Sequence, residues 1–497
     1  ECICFKLKID SLGVHLIMSA ADSLTVKGLS VLYPNYKNPL VLRRMSEDAV
    51  NAFGRTVVVL DDDPTGTQTV SGVPVVTAWG KQLLAEELVK SPRMLFILTN
   101  SRALTSSETK KLHTEIAENL VSASRLTGRD ILVVSRSDST LRGHFPLETG
   151  TLRDVFEKLC GNQIDGEIIC PFFLEGGRYT FGDVHYLADG DSLIPVADSE
   201  FASDKTFGYK NSHLGRWVEE KTHGKYTASS CIYITMEELR GEDRCAIREK
   251  LLSAERFNKI IVNAVCYEDL YVFVPEMLAA ISCGKHFIMR TAASILRVLS
   301  GNNEPHFVSG ADIRAEDKSK GGVVIVGSHV NKTTRQLECL MSHCAGIAPL
   351  EFNQHLVLDE SAFSHEINRV AALADEYVRS GQDVAVYTRR ERLDLGAADR
   401  EEELRLAVRI SDGLVKIISS LAVRPKFIVA KGGITSSDVA TKGLAIIKAE
   451  VMGQILPGIP VWRSGAESKF PGMPYVIFPG NVGNDESLFE AVKILNS

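Results

Sequence analysis

The chain has 497 residues, of which 44% are hydrophobic and 24% charged, a composition typical of a globular protein with two or three domains. Its formal net charge is -7, and the absence of a basic block argues against a nucleic-acid partner. No apolar run approaches the roughly 20 residues that a membrane-spanning helix needs, so no membrane partner is expected.

The cysteines and the first residues of the sequence bear on the cellular compartment and on whether the chain is part of a longer one. Ten scattered cysteines without a C-x-x-C pair favour reduced thiols and a cytoplasmic protein over a disulfide framework or a zinc site. Lys6, Lys8 and Asp10 interrupt the apolar start, which argues against a signal peptide. Because the first residue is Glu, we expect a module of a longer multidomain chain, and a homo-oligomer is also compatible with the sequence.

Strand and helix patterns alternate from residue 55 onward, whereas residues 1–54 lack a clean period and are predicted to be a linker or an appended segment. The first series has predicted strands at 56–60, 73–77, 94–99, 130–135, 167–170, 231–234, 259–263 and 286–290, and helices at 106–126, 147–159, 236–253 and 267–281. A polar, broken stretch at 301–321 marks a predicted linker. The second series has predicted strands at 322–326, 383–387 and 426–430, and helices at 332–343, 361–380, 400–420 and 485–495. This alternation predicts two α/β domains, 55–300 and 322–497, with mainly parallel sheets facing an interdomain cleft.

The stretch V-V-V-L-D-D-D-P-T-G-T-Q, residues 57–68, combines a buried strand with three consecutive carboxylates. Asp61, Asp62 and Asp63 repel one another, so a bound cation, or hydroxyl groups to be held and deprotonated, would explain them. Ligands of open α/β sheets bind at the carboxyl ends of strands, where this cluster falls. The alternative is a solvated acidic turn.

Three further predicted strands end in polar loops. Residues 131–144, I-L-V-V-S-R-S-D-S-T-L-R-G-H, offer two arginines whose forks suit a carboxylate or phosphate, and Asp138 could accept a proton from a substrate hydroxyl. Alternatively, Asp138 only clamps Arg136 or Arg142. Gly176-Gly177 and Arg178 follow the next strand, where the glycines could also form a simple turn, and 100–102 is a fourth polar strand end. Together these loops predict a pocket for a small polyhydroxylated anion.

The second half contains glycine turns that lead from strands into helices. They are V-G-S at 326–328, K-G-G-I-T-S-S-D at 431–438 and F-P-G-N-V-G at 478–483. Small residues before a helix expose N–H groups that suit phosphate oxygens, although neither the Walker motif nor G-x-G-x-x-G is present. The alternative is ordinary capping by Ser328, Thr435 or Ser436.

Six segments of the sequence resemble, in this order, the motifs of the four-carbon acid sugar kinase family. They are D-D-D-P-T-G-T-Q-T-V, S-D-S-T-L-R-G, P-F-F-L-E-G-G-R, V-G-S, K-G-G-I-T-S-S-D and P-G-N-V-G. The resemblance runs from about Arg55 to the C-terminus. It implies an N-terminal domain that binds the sugar acid and a C-terminal domain that binds ATP. Members phosphorylate the terminal hydroxyl of compounds such as threonate, erythronate or 3-oxo-tetronate, and plant modules of this kind occur within longer chains.

Carried onto this sequence, the resemblance implies three groups of site residues. Either Asp63 or Asp138 is the catalytic base. The substrate-binding residues are Asp62, Thr65, Arg136, Ser139, Thr140, Arg142, Gly177 and Arg178. The nucleotide-binding residues are Ser328, Gly432, Gly433, Thr435, Ser436, Gly480 and Asn481. Many bacterial relatives have an acidic residue where Ile434 stands. Their last motif is closer to K-S-G-N-F-G, whereas this chain has F-P-G-N-V-G, so a lysine is missing from the predicted phosphate site.

The sequence therefore predicts an ATP-dependent carbohydrate kinase that uses Mg²⁺, with the carboxylate of Asp62 or Asp63 as a ligand of the ion. One rival is a haloacid-dehalogenase-type phosphatase with Asp61 as nucleophile, because residues 61–65 satisfy D-x-D-x-T. The other rival is a non-catalytic module that binds a nucleotide or a sugar acid inside a multidomain enzyme.

Overall fold

The computed structural model describes residues 8–10, 13–15, 24–313, 319–391, 393, 400–480 and 482–497, and of these the side chains of 8–10, 13–15, 400–404 and 407 are not described. The strands are β1 (Lys8–Asp10), β2 (Gly13–His15), β3 (Thr56–Asp61), β4 (Val73–Val76), β5 (Met94–Leu98), β6 (Ile131–Arg136), β7 (Gly166–Cys170), β8 (Arg178–Phe181), β9 (Val184–Asp189), β10 (Ser192–Pro195), β11 (Ile232–Ile234), β12 (Asn258–Val262), β13 (Phe287–Thr291), β14 (Val323–Val326), β15 (Ile347–Phe352), β16 (Asp383–Thr388), β17 (Ile428–Lys431), β18 (Lys448–Leu456), β19 (Ile459–Ser464) and β20 (Pro474–Phe478). The helices are α1 (Val26–Leu32), α2 (Pro39–Ala52), α3 (Lys81–Leu88), α4 (Ser106–Thr127), α5 (Leu147–Cys160), α6 (Leu214–Lys221), α7 (Met236–Arg240), α8 (Cys245–Ser253), α9 (Tyr267–Ser282), α10 (Ser294–Ser300), α11 (Asn331–His343), α12 (Glu360–Arg379), α13 (Arg400–Ser420), α14 (Gly433–Asp438) and α15 (Ser487–Leu495). None of the described helices is long and apolar enough to cross a bilayer.

Within the described chain, fifteen strands form one sheet in the order β11-β12-β7-β13-β6-β3-β5-β4-β18-β19-β20-β17-β14-β16-β15. The eight strands of the first half, β11 to β4 in this order, are mutually parallel, and so are β20, β17, β14, β16 and β15 of the second half. The predicted α/β fold class with mainly parallel strands is confirmed. The two halves do not have separate sheets, however, because β4 and β18 pair in antiparallel fashion and join them edge to edge.

The apolar runs of the sequence become central strands because helices cover both faces of the sheet. Val57 and Val59 of β3 pack in one core cluster with residues of α9, whereas Val58 and Leu60 pack in another with residues of α4 and α5. All four side chains are at most 1% exposed. A strand buried on both faces needs an unbroken apolar run rather than alternation, as β3 has.

Some elements differ from the sequence-based expectation. Residues 24–54, predicted as a linker or appended segment, contain α1 and α2, and α2 buries Leu42 and Val50 in the same core cluster as α9. The single helix predicted at 236–253 is two helices, interrupted at Gly241. The boundaries of the two domains stay a prediction.

A separate three-stranded antiparallel sheet, β10-β9-β8, was not predicted. Its first turn has positive φ at both Gly182 and Asp183, which is the geometry of a two-residue hairpin that Gly-Asp favours. The strands are only four to six residues long, so their alternation is too short to detect. This hairpin begins at Arg178, one of the predicted site residues.

The halves also meet through side chains. The turn Pro64–Thr67 after β3 contacts α14, and the indole Nε1 of the fully buried Trp462 donates a hydrogen bond to Thr67 Oγ1 at 3.0 Å. The acidic turn of the first half therefore rests directly on the second.

We expect Thr67→Val to destabilise the fold by about 1–3 kcal/mol, because it leaves the buried indole N–H without an acceptor. In a Trp462→Phe background the same change should cost little, which gives a coupling free energy of about 1 kcal/mol or more in a double-mutant cycle. Urea unfolding of the four proteins measures it. Thr151→Val, whose hydroxyl bonds to its own helix, is the control and should add independently to Trp462→Phe. Additivity of Thr67→Val and Trp462→Phe would contradict the contact.

Candidate functional site

The first two carboxylates of the acidic turn are buried and paired with arginines from the neighbouring strand ends. Asp62 accepts two hydrogen bonds from Arg102, which follows β5, at 2.7 and 3.1 Å. Arg136 at the end of β6 places its Nη1 3.3 Å from Asp61 and 3.6 Å from Asp62. Burial, opposed by Arg136, raises the pKa of Asp61 to about 8, and burial also raises the pKa of Asp62 against the opposing pull of Arg102. Neither carboxylate faces the open space beside the turn.

Asp63 differs from its two neighbours because it is partly exposed and caps the next turn. Its Oδ1 accepts hydrogen bonds from the Thr65 backbone N–H at 2.9 Å and from the Thr65 hydroxyl at 2.6 Å. Its Oδ2 lies 3.4 Å from Arg102. Burial alone would raise the pKa of Asp63, but Arg102 and the Thr65 hydrogen bonds outweigh it, so the pKa is lowered. Asp63 is therefore an ionised acceptor.

Asp138 holds its own loop together. It accepts hydrogen bonds from the Thr140 hydroxyl and from Arg142 Nε, the latter at 2.7 Å. Burial alone would raise the pKa of Asp138, but Arg102 and Arg142 outweigh it and hold the pKa well below its usual range. The pairing of Asp138 with an arginine of its own loop, which the sequence analysis gave as an alternative, is therefore present. Asp138 also lines the cavity described below.

Gly176 and Gly177, the two glycines before β8, have different roles. Gly177 has φ +70°, and a Cβ there would lie 2.9 Å from that of Ala188, so this residue turns the chain into the hairpin. Gly176, not Gly177, lines the cavity, and its carbonyl accepts a hydrogen bond from Arg178. Within the described chain, the buried Nε atoms of Arg136 and Arg178 have no hydrogen-bond partner, which suits an anionic ligand.

Three turns of the second half converge around Ser328. A Cβ at Gly432, which has φ +122°, would lie 3.2 Å from Ser328 Cβ, and one at Gly480 would lie 3.2 Å from Ser328 Oγ. Thr333 donates to the Gly480 carbonyl at 3.0 Å and ties α11 to this turn. A side chain at Gly432 or Gly480 would therefore crowd Ser328. The predicted nucleotide motifs, far apart in sequence, are thus neighbours.

The other predicted nucleotide residues have more varied positions. Ser436 is fully buried and donates to the carbonyls of Ala430 and Gly432, so its hydroxyl serves the backbone. Thr435 is buried behind Gly327, whereas Gly433 faces the acidic turn, since a Cβ there would lie 3.4 Å from Asp63 Oδ2. Asn481 lies outside the described residues.

Lys431 was not predicted as a site residue, although it precedes the Gly-Gly turn. Its side chain is fully buried, and Nζ donates to the Pro479 carbonyl at 2.5 Å, 3.9 Å from the centroid of the Phe478 ring. Burial, assisted by Lys332, lowers the pKa of Lys431 to about 6. Lys431 at the end of β17 therefore supports the turn 478–480, which contains no lysine of its own.

A cavity of about 410 Å³ connects the two sets of residues. Of the predicted residues, it is lined by Asp63, Thr65, Arg136, Asp138, Ser139, Thr140, Arg142, Arg178, Gly433 and Gly480. The predicted residues that do not line it are Asp62, Gly177, Ser328, Gly432, Thr435 and Ser436. Arg102 and Gly176, which belong to the polar strand ends of the predicted pocket, also line it. Its further lining residues, which the sequence did not single out as ligand contacts, are Gln68, Phe173, Glu175, Phe201, Pro479, Val482 and Gly483.

The chemistry of this cavity suits anions better than a bare metal ion. Among the described residues, no group of three or more His, Cys, Asp or Glu side chains is arranged to hold a metal. Asp61 and Asp62 are occupied by arginines, which leaves Asp63 as the one member of the acidic triplet that lines the cavity. A divalent ion that arrives with phosphate groups needs only one or two protein carboxylates, so Asp63 fits such an ion.

We expect Lys431 to make stability depend on pH. Because burial lowers the pKa of Lys431 to about 6 from an ordinary 10.5, the unfolded chain carries a proton that the folded chain lacks between these values. Stability should therefore rise with pH above 6, by at most about 1.4 kcal/mol per pH unit from this group.

Urea midpoints from pH 6 to 9 test this, and the rise should be smaller in Lys431→Met than in the wild type. Lys493→Met, which removes an exposed lysine of α15, should keep the wild-type dependence. Parallel pH curves for wild type and Lys431→Met would show that Lys431 keeps an ordinary pKa.

Comparisons with known proteins match one family model to each half of the chain. A family model described as a sugar-binding N-terminal domain matches residues 57–299, and one described as a nucleotide-binding C-terminal domain matches residues 323–488. No curated protein matches the sequence.

Two solved structures have the same fold. Protein HI1011 from Haemophilus influenzae, assigned to family DUF1537, is 15% identical with a TM-score of 0.61, over 88% of this chain and 100% of that one. A protein from Salmonella typhimurium LT2, provisionally called a tRNA synthase, is 16% identical with a TM-score of 0.61, over 88% of this chain and 98% of that one. At these identities the similarity shows the fold alone. On the two domain matches, which together span most of the sequence, this chain belongs to the four-carbon acid sugar kinase family.

Proposed function

We propose that the protein transfers the γ-phosphoryl group of ATP to the terminal hydroxyl of a four-carbon acid sugar of the threonate, erythronate or 3-oxo-tetronate class. The observation that carries the proposal is the single cavity that the acidic and arginine-rich loops of the first half share with Gly433 and Gly480 of the second. Phosphoryl transfer needs little covalent help from the protein, but it needs both reactants aligned in one enclosed space.

In this proposal, the substrate carboxylate binds to the arginines that line the cavity. Arg136 and Arg178 each have a buried Nε without a partner among the described residues, and Arg142 stands beside them on the Asp138 loop. A carboxylate would satisfy these donors by charge-assisted hydrogen bonds. Thr65, Ser139 and Thr140 offer hydroxyl groups at the same wall for the substrate hydroxyls.

Asp63 is the better candidate for the base. Asp63 approaches Gly433 of the nucleotide-binding half, whereas both hydrogen bonds that Asp138 accepts at Oδ2 come from its own loop, from Thr140 and Arg142. The substrate hydroxyl oxygen would attack the γ-phosphorus of ATP, its proton would pass to Asp63, and the bond to the β–γ bridging oxygen would break to release ADP. Mg²⁺ bound to the nucleotide would neutralise charge on the transferred phosphoryl group.

The glycine turns around Ser328 would hold the ATP phosphates through backbone N–H groups, with Lys431 keeping the 478–480 turn in place. The cavity walls, made by both halves, would exclude water from the reaction and so protect ATP from hydrolysis. A cytoplasmic location belongs to the proposal and is supported by the eight described cysteines, all of which are free thiols.

The phosphatase alternative fits the geometry poorly. Asp61 is 1% exposed and paired with Arg136, and a Cβ on Gly66 would lie 2.0 Å from its Oδ2, so backbone covers this carboxylate. A nucleophile has to reach a phosphorus atom, and Asp61 does not line the cavity. The non-catalytic module is the remaining alternative, and turnover distinguishes it from the kinase.

We expect ADP formation from Mg-ATP only when a four-carbon sugar acid is present. A panel of such acids, with the corresponding neutral sugars as controls, should give turnover with the acids because only they carry the carboxylate. ADP release is followed by a coupled assay. ATP binding without turnover on any acid would favour the non-catalytic module instead.

Substitution of the two aspartates should affect different kinetic constants. Asp63→Asn keeps a capping acceptor for Thr65 but removes the base, so kcat should fall by about 10²-fold or more. Asp138→Asn loosens Arg142, so KM for the acid should rise by about tenfold with a smaller change in kcat. Steady-state kinetics in both substrates measures this, with Asp154→Asn on the exposed face of α5 as control. A larger loss of kcat in Asp138→Asn would reverse the assignment.

A further inference from the structure

Phe201 lies in the wall of the cavity and has no role in the proposed reaction. It belongs to the short 3-10 turn Glu200–Ser203, within the long connection between β10 and α6. The sequence drew no attention to this connection, because it has neither a glycine turn nor a charge cluster. The side chain is half-buried, so its ring is available to neighbours on the cavity side.

The ring of Phe201 contacts two of the three arginines assigned to the substrate carboxylate. The guanidinium carbon of Arg142 lies 4.9 Å from the ring centroid, and that of Arg178 lies 6.0 Å from it. The negative face of an aromatic ring attracts a cation at these distances. Burial lowers the pKa of Arg178, Asp138 opposes this, and Arg142 lowers the pKa further by a smaller amount, so the two cations repel each other. One ring therefore attracts two like charges.

The same connection is fastened to the Asp138 loop at two further points. Asp204 lies 3.9 Å from Arg142 Nη1, and its Oδ1 accepts the backbone N–H groups of Thr206 and Phe207. The hydroxyl of Tyr209 donates to the Thr140 carbonyl at 2.6 Å. These contacts tie the connection that carries Phe201 to the loop that carries Arg142.

We propose that Phe201 is a positioning residue that holds the guanidinium groups of Arg142 and Arg178 together to receive the carboxylate of a short hydroxy acid. This inference rests on the proposed function for the identity of the ligand. The ring offsets the repulsion between the two cations before the substrate arrives, so less reorganisation accompanies binding. Phe201 acts through the arginines and does not touch the reacting atoms.

The test compares variants that keep or remove the ring face. Phe201→Leu keeps an apolar side chain without a π face, and Phe201→Tyr keeps the face. We expect Phe201→Leu to raise KM for the acid by about tenfold, with KM for ATP unchanged and kcat changed by less than about twofold. Phe201→Tyr should stay near the wild type. Phe207→Leu is the matched control in the same connection, because its ring meets His144 edge to face and does not line the cavity.

A second measurement does not depend on turnover. Phenylglyoxal modifies accessible arginines, and peptide mass spectrometry gives its rate at Arg142 and Arg178 with and without threonate. In Phe201→Leu both sites should react faster than in the wild type and in Phe207→Leu, and threonate should protect them less. Wild-type rates and a wild-type KM in Phe201→Leu would overturn the inference. Faster labelling with weaker protection, but no phosphorylation of any acid by the wild type, would uphold the inference while rejecting the proposed kinase.

Discussion

The burial of Asp61 and Asp62 at the end of β3, next to a third carboxylate, is the constraint on which the site depends. Adjacent carboxylates repel each other, and an unpaired charge inside a protein is costly. The order of the strands places a positive charge on each side of the aspartates, because β3 lies between β5 and β6. Arg102 follows β5, and Arg136 ends β6. Arg136 is thereby paired with Asp61 and Arg102 with Asp62, which offsets part of the cost of burying them. The third carboxylate, Asp63, remains free to face the cavity, where it meets the second half of the molecule.

Strand-end reasoning predicted much of this arrangement from the sequence. The acidic turn, the Asp138 loop and Arg178 were expected together because carboxyl ends of parallel strands share an edge, and they line one cavity. Their catalytic and binding roles stay predictions. The pairing of Arg102 with two aspartates was missed, since a sequence does not give the order of strands within a sheet. The order 6-3-5, which brings Arg102 and Arg136 to either side of the triplet, appears only in the folded chain.

Other features had no readable sequence signal. Lys431 ends an apolar strand and looked like part of the Gly-Gly motif, yet its amine crosses to the Pro479 carbonyl on a neighbouring strand end. Phe201 lies in a connection without periodicity, and its relevance comes from contacts with arginines about 60 and 20 residues earlier in the chain. Gly177 rather than Gly176 was predicted as a substrate-binding residue, although both could form a turn, and the left-handed φ of Gly177 separates their tasks.

The antiparallel pair β18–β19 connects two sets of strands that run in opposite directions along one sheet. Its register shifts twice, between Val451 and Gly453 and between Gln454 and Leu456, and Gly453 has φ +141°. Bulges interrupt the ladder and increase local twist, so a continuous sheet bends most easily where they occur. The two halves of the molecule, which share one cavity, are therefore joined through a bulged ribbon at the middle of the sheet.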